Sequence, residues 1–270
     1  MIYYRGVITH NKYVTAVVSS VTLLLNGESA MNPFTTLPKL FAAYNDVKKF
    51  NSLKPEIEKL RSEGKYDEEA ALINKGQKAF VESFARKLKV TFEVIGEENI
   101  PEHGPFMIYS NHQSYADVPA ILWMMKDHGH IAFVAKDEWR KYKPVGDAIE
   151  ATRSIFLVRG NSRDAVKSLS EVKEITSQGF NMAVFPEGTR SRKHEAGEFK
   201  AGAFKFAEKA KVPILPVTLD GGYHLIEETG SYQPCHIKIT VHPLVHIEEM
   251  DKHQQKEAAE TIESTILSAL

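Results

Sequence analysis

His112 and Asp117 stand five residues apart in Asn111-His112-Gln113-Ser114-Tyr115-Ala116-Asp117, directly after the apolar run 105–110. Histidine is the side chain whose ordinary pKa lies nearest neutrality, which suits it to general-base work. A nearby carboxylate holds such a base in one tautomer and stabilises the imidazolium that forms. On a continuous helix, residues five apart point about 140° away from each other. The pair can therefore meet only if His112 sits in a turn and the helix begins after it, with Ser114 as the expected N-cap. The competing reading is a capped helix beside a solvent-exposed histidine.

A second cluster, Phe185-Pro186-Glu187-Gly188-Thr189-Arg190-Ser191-Arg192, follows the apolar stretch 181–185. Ligands of open α/β sheets sit at the carboxyl ends of strands. This strand end carries a carboxylate, a permissive glycine, a hydroxyl and two arginines. Arg190 offers a planar, always-charged fork suited to phosphate. Gly188 allows a tight turn or a close approach to ligand. A third segment, 153–159, delivers Arg159 at the end of another apolar strand. The fourth, Val212-Pro213-Ile214-Leu215-Pro216-Val217, is an apolar strand with two prolines. Proline cannot donate to a central ladder, so their spacing suggests an edge strand or one shaped against a ligand tunnel, with ordinary core as the default.

Elements that would position these residues alternate along the chain. Apolar strands are expected at 90–94, 105–110, 130–136, 154–159, 181–185, 212–219 and 236–242. Helices are expected at 118–126, 164–177, 201–211 and 252–270. Strands alternating with helices indicate an α/β fold built on a central, mostly parallel β-sheet flanked by helices. Residues 46–89 are charge-rich and helical in texture, with a stripe of Phe80, Phe84 and Leu88 beside Lys78, Arg86, Lys87 and Lys89. This divides the chain into an N-terminal helical segment, 1–89, and a catalytic domain, 90–270.

Of the 270 residues, 43% are hydrophobic and 26% charged, an ordinary globular composition that argues against disorder. The formal net charge of −1 gives no general attraction to nucleic acid. Its distribution is uneven: residues 134–211 hold 16 basic against 11 acidic side chains, and residues 212–270 hold 3 against 9. The single cysteine, Cys235, allows no intrachain disulfide and suits a reducing compartment. No secretory signal pattern is expected, and the apolar run 14–25 is shorter than the roughly twenty residues that cross a bilayer.

The blocks NHQSYAD, SIFLVR, FPEGTRS and VPILPV occur in this order, and over roughly residues 90–220 the chain resembles the bacterial 1-acyl-glycerol-3-phosphate acyltransferases of the glycerolipid acyltransferase superfamily. The resemblance implies a glycerol-3-phosphate-acyltransferase-like fold with an N-terminal helical extension that associates with membranes. It implies that His112 takes the proton of an acceptor hydroxyl while Asp117 orients and charges the imidazole. Glu187, Gly188, Thr189 and Arg190 would bind the glycerol phosphate, with Arg159 a second phosphate partner and Lys136 a basic residue nearby. The donor would be acyl-CoA or acyl-carrier protein, with no cofactor, metal or acyl-enzyme intermediate. The product would be phosphatidic acid for phospholipid biosynthesis, made at the cytoplasmic face of the membrane by a peripheral or monotopic protein.

One block departs from the pattern. Similar enzymes commonly have glycine where this chain has Arg153 and Ser154, and Arg153 is expected to enlarge the anion site or alter the head group accepted. Rival readings are acylation of glycerol 3-phosphate or another lysophospholipid, a non-enzymatic lipid binder of the same fold, and a metallohydrolase using His236, His242 and His246. In the last, Lys238 on the same strand face is a poor neighbour for a cation. For membrane association two devices stand out, the run 14–25 and the stripe at 80–88, the latter equally suited to packing on the catalytic domain.

Overall fold

The computed structural model describes residues 33–158 and 162–270. Three helices lead in: α1 (Pro33–Asn51), α2 (Lys54–Ser62) and α3 (Tyr66–Leu88). The remainder alternates β1 (Thr91–Ile95), β2 (Met107–Ser110), α4 (Asp117–Met125), β3 (Ala132–Lys136), α5 (Val145–Ala151), β4 (Ile155–Leu157), α6 (Ser162–Ser177), β5 (Met182–Val184), α7 (Ala201–Ala210), β6 (Ile214–Asp220), β7 (His236–Val241) and α8 (Lys252–Leu267). The strands form one sheet in the order β1-β7-β6-β2-β5-β3-β4. Among the strand pairs of the described residues, β6–β7 alone is antiparallel.

A parallel sheet covered on both faces needs strands that are apolar on both faces. In β2 all four residues are buried. Ile108 joins a core layer with Val81, Phe84 and Leu88 of α3 and Ile121 and Met124 of α4. Met107 and Tyr109, pointing the other way, pack with Phe204 of α7 and Ile262 of α8. The alternation of successive side chains across the sheet thus splits one short strand between two cores.

Two alternatives that the sequence left open are decided here. The stripe on α3 is not a membrane face: Phe84 and Leu88 are buried, Phe80 packs against the same core, and Gln77 exchanges side-chain hydrogen bonds with both backbone groups of Ile131. The helix thus belongs to the same packed body as the sheet, across the expected boundary at residue 89. The proline-bearing strand is an interior one, β6, between β7 and β2. Pro213 precedes it and lends its carbonyl to the Met107 amide at 2.9 Å. The Pro216 carbonyl accepts from the His242 amide, at the far end of β7. A strand residue's nitrogen faces the same side as its carbonyl, so the missing donor faces β7 and the parallel pairing with β2 is left whole. The run 14–25 lies outside the described residues.

Arg153 begins the segment entering β4, at the amino end of that strand, whereas the two motif clusters leave the carboxyl ends of β2 and β5. Its guanidinium is buried, donating to both oxygens of Glu69 on α3 at 2.8 and 2.5 Å and to the Gln178 side chain, over the ring of Phe180. Arg153 therefore does not enlarge an anion site; its charge is spent holding α3 to the sheet. Its φ of 60° lies in the left-handed region, where glycine is at home, and the paired guanidinium offsets that strain.

His130 is buried beside the same group, edge-on to Phe180. Burial pushes its pKa down from the ordinary 6.5 to about 4, with Glu69 opposing and Arg153 reinforcing the shift. A histidine held neutral in the fold binds more protons when unfolded, so its stabilising contribution is present above about pH 6.5 and is lost as pH falls toward 4. Denaturant midpoints measured across that window should fall with pH, and His130→Phe should flatten the decline. An unchanged slope in the variant would count against this assignment.

Candidate active site

Adjacent parallel strands place the two motif clusters side by side. Tyr109 of β2 pairs with Val184 of β5, so the residues that follow, Asn111 onward and Phe185 onward, leave the same edge together. Asn111 locks the first of these turns by pairing its side-chain amide with both backbone groups of Leu219 on β6, each at 2.8 Å. The second turn is tied to the first by backbone bonds: the Ser191 amide donates to the His112 carbonyl at 2.7 Å and that of Arg192 to the Gln113 carbonyl at 3.1 Å. Gly188, at a φ of 64°, supplies the left-handed step that bends the second turn back.

Within this frame His112 Nδ1 lies 2.8 Å from Asp117 Oδ2. Asp117 is the first residue of α4, so the helix does begin after His112, and the helix N-terminus favours the carboxylate there. Ser114 is not the N-cap. Ala116 occupies that position, while Ser114 gives its backbone amide to Asp117 Oδ2 at 2.7 Å and its hydroxyl to Glu227 at 2.8 Å. The side chain of Asp117 is fully buried, and that of His112 is 17% exposed. Nδ1 facing a carboxylate carries the hydrogen, which leaves Nε2 as the basic nitrogen. The ring of Phe185 stacks on the imidazole with centroids 4.1 Å apart and planes 15° from parallel. Carboxylate and phenyl ring together fix the plane of the imidazole.

Glu187 has a different part from the one expected. Its side chain is buried, with one oxygen accepting from the His112 amide at 2.7 Å and the other from the Gly197 amide at 2.8 Å. Burial pushes its pKa up, and these two amides oppose the rise. With both oxygens committed to backbone, Glu187 positions the turn that carries His112; a bare carboxylate would in any case repel a phosphate. Thr189 is exposed on the same loop, and Lys136 ends β3 at the same edge, 3.8 Å from Glu138. Arg159 lies outside the described residues.

Arg190 lies beside the turn that carries the dyad, held by two neighbours. Its guanidinium lies 3.4 Å from the centroid of the Tyr115 ring, and its NH1 donates to Glu227 at 3.0 Å. Glu227 also accepts from the Tyr115 amide at 2.8 Å. Nothing in the surrounding sequence marks Glu227, since it lies in an unpatterned loop after β6. Phe185 could have been found, as the first residue of a strand-end motif. His236, His242 and His246 are not brought together: they bond Thr91, Thr218 and Glu248 respectively.

The fold and the dyad define an acyltransferase domain, and residues 91–220 match the family described as Acyltransferase. Over that region the chain is similar to 1-acyl-sn-glycerol-3-phosphate acyltransferases, PlsC among them. It is 31% identical over 157 residues to a 1-acyl-sn-glycerol-3-phosphate acyltransferase of Chlamydomonas reinhardtii, covering 57% of this chain and 46% of that protein. It is 32% identical over 155 residues to a probable enzyme of the same name from Mycoplasma pneumoniae, covering 54% and 55%. The crystal structure of the 1-acyl-sn-glycerophosphate acyltransferase PlsC from Thermotoga maritima superposes with a TM-score of 0.64 at 29% identity, over 75% of this chain and 80% of that one. The chain spans about half the length of the curated relatives it matches.

Gly222 offers a direct test of the dyad. Asp117 Oδ1 is buried, without a hydrogen-bond partner among the described residues, and a Cβ at Gly222 would stand 2.8 Å from it. Gly222→Ala should push the carboxylate off the imidazole and lower kcat by about a hundredfold, the scale of a misplacement near 1 Å. Single-turnover kinetics on the folded variant check this, and a wild-type rate would refute it.

Proposed function

We propose that this protein transfers a fatty acyl group from a thioester donor, acyl-CoA or acyl-carrier protein, to the sn-2 hydroxyl of 1-acyl-glycerol 3-phosphate, giving phosphatidic acid. The observation that carries the proposal is the 2.8 Å contact of His112 with buried Asp117, at the same strand edge as Arg190. His112 Nε2 takes the proton of the acceptor hydroxyl as its oxygen bonds to the thioester carbonyl carbon. Collapse of the tetrahedral intermediate breaks the carbon–sulfur bond, and the imidazolium returns the proton to the departing thiolate. Asp117 stabilises the imidazolium in between. A non-enzymatic lipid binder has no use for a buried carboxylate oriented on a partly exposed imidazole.

Arg190 supplies the charge for the acceptor phosphate, with Lys136 at the end of β3 as a further cation; Arg159, which lies outside the described residues, remains a third candidate from the sequence. The acceptor and product are lipids, so the site must work at a bilayer surface. No helix among the described residues is long and apolar enough to cross a membrane. With the α3 stripe buried, we assign attachment at the cytoplasmic face to the N-terminal 45 residues.

His112→Ala should reduce turnover about a hundred- to ten-thousand-fold while the circular dichroism spectrum stays that of wild type. Purified protein assayed with phosphate-bearing and dephosphorylated lyso-acceptors, and with both donor classes, should prefer the phosphate-bearing acceptor. A folded His112→Ala variant that turns over normally, or a wild type indifferent to the phosphate, would sink the assignment.

A further inference from the structure

Arginine is a costly residue to hold still, because its long side chain gives up many rotamers when ordered. In this structure that freedom is already gone from Arg190: the guanidinium lies flat on Tyr115 and is gripped at one edge by Glu227, and its side chain is 12% exposed. The gripping carboxylate is 4% exposed and holds three donors, the Arg190 NH1, the Tyr115 amide and the Ser114 hydroxyl. Two of those three belong to the turn between His112 and Asp117. A guanidinium has five N–H donors, so the bond to Glu227 leaves others for an incoming anion.

We infer that Glu227 is a positioning residue that presets Arg190 for the acceptor phosphate and fixes its distance from the catalytic turn, because one buried carboxylate anchors both. The inference rests on the acyl-transfer reading above. Lone Arg190 would have to be ordered at each encounter with the acceptor; held by Glu227 and Tyr115, it meets the phosphate in place, and the cost appears in folding instead of in binding. The oxygens of Glu227 are committed to three protein donors, so its loss should act through acceptor binding and leave the chemical step largely intact. The adjacent Glu228, exposed and bonded to His224, provides a matched control.

The test is a double-mutant cycle on the full chain with 1-acyl-glycerol 3-phosphate as acceptor. Glu227→Gln keeps the shape and can still accept from the Tyr115 amide, so it removes charge with little change in packing. It should raise the acceptor KM about ten- to a hundredfold, the range for losing a hydrogen bond between charged groups, with kcat within about threefold of wild type. On an Arg190→Ala background the same change should cost nothing further, and Glu228→Gln should behave as wild type. Glu227→Asp, which keeps the charge on a shorter stem, should recover part of the affinity and serves if the Gln variant does not fold. An unchanged acceptor KM, a fall in kcat alone, or an equal loss with and without Arg190 would each overturn the inference. A wild type that leaves the phosphate-bearing acceptor unacylated would instead overturn the functional reading.

Discussion

Both oxygens of Glu187 are held by backbone amides from separate segments, those of His112 and Gly197, and this bridge sets the geometry of the whole catalytic edge. The parallel pairing of β2 with β5 brings the two turns within reach, but a strand pair alone leaves its outgoing loops free to diverge. The carboxylate converts adjacency into fixed register, reinforced by the Ser191 and Arg192 amides on the His112 and Gln113 carbonyls. A buried carboxylate without donors would be costly, and two amides at 2.7 and 2.8 Å supply what water no longer can.

The same device recurs around the site. Asp117 takes the Ser114 amide as well as His112, and Glu227 takes the Tyr115 amide as well as Arg190. Three buried carboxylates surrounding one imidazole would repel one another if left to themselves. Each is instead pinned by main-chain donors, and burial pushes Glu187 and Glu227 above the usual carboxylate range against that stabilisation. The partly exposed His112 thus sits among carboxylates suited to an imidazolium, and Arg190 is held nearby through Glu227.

Arg190 and Arg153 show how little a motif reveals of a side chain's task. Both lie near a strand in conspicuous sequence blocks. Arg190 follows the carboxyl end of β5, among the loops that form the site, and Arg153 precedes the amino end of β4, where it pairs with Glu69 and anchors α3. The strand direction in a parallel sheet places one of these similar residues beside the dyad's turn and the other at the opposite edge.

Much of this was legible in the chain itself. The apolar strand and helix periods, and the requirement that His112 precede its helix if it is to meet Asp117, follow from local geometry, because side-chain direction in a helix or strand is fixed by the backbone repeat. Membership of the α/β class follows from the alternation of those periods. What only the tertiary structure decided concerns partners far apart in sequence: Glu187 as a backbone bridge, Glu227 as the holder of Arg190, the interior place of the strand that carries Pro216, and the packing of the stripe at 80–88 on the core. Each depends on which groups from distant segments arrive at a given atom, and burial and hydrogen-bond saturation are properties of that arrival. A residue's type and its neighbours in the chain determine what it can do; the packing of distant segments determines which of those capacities is left free for chemistry.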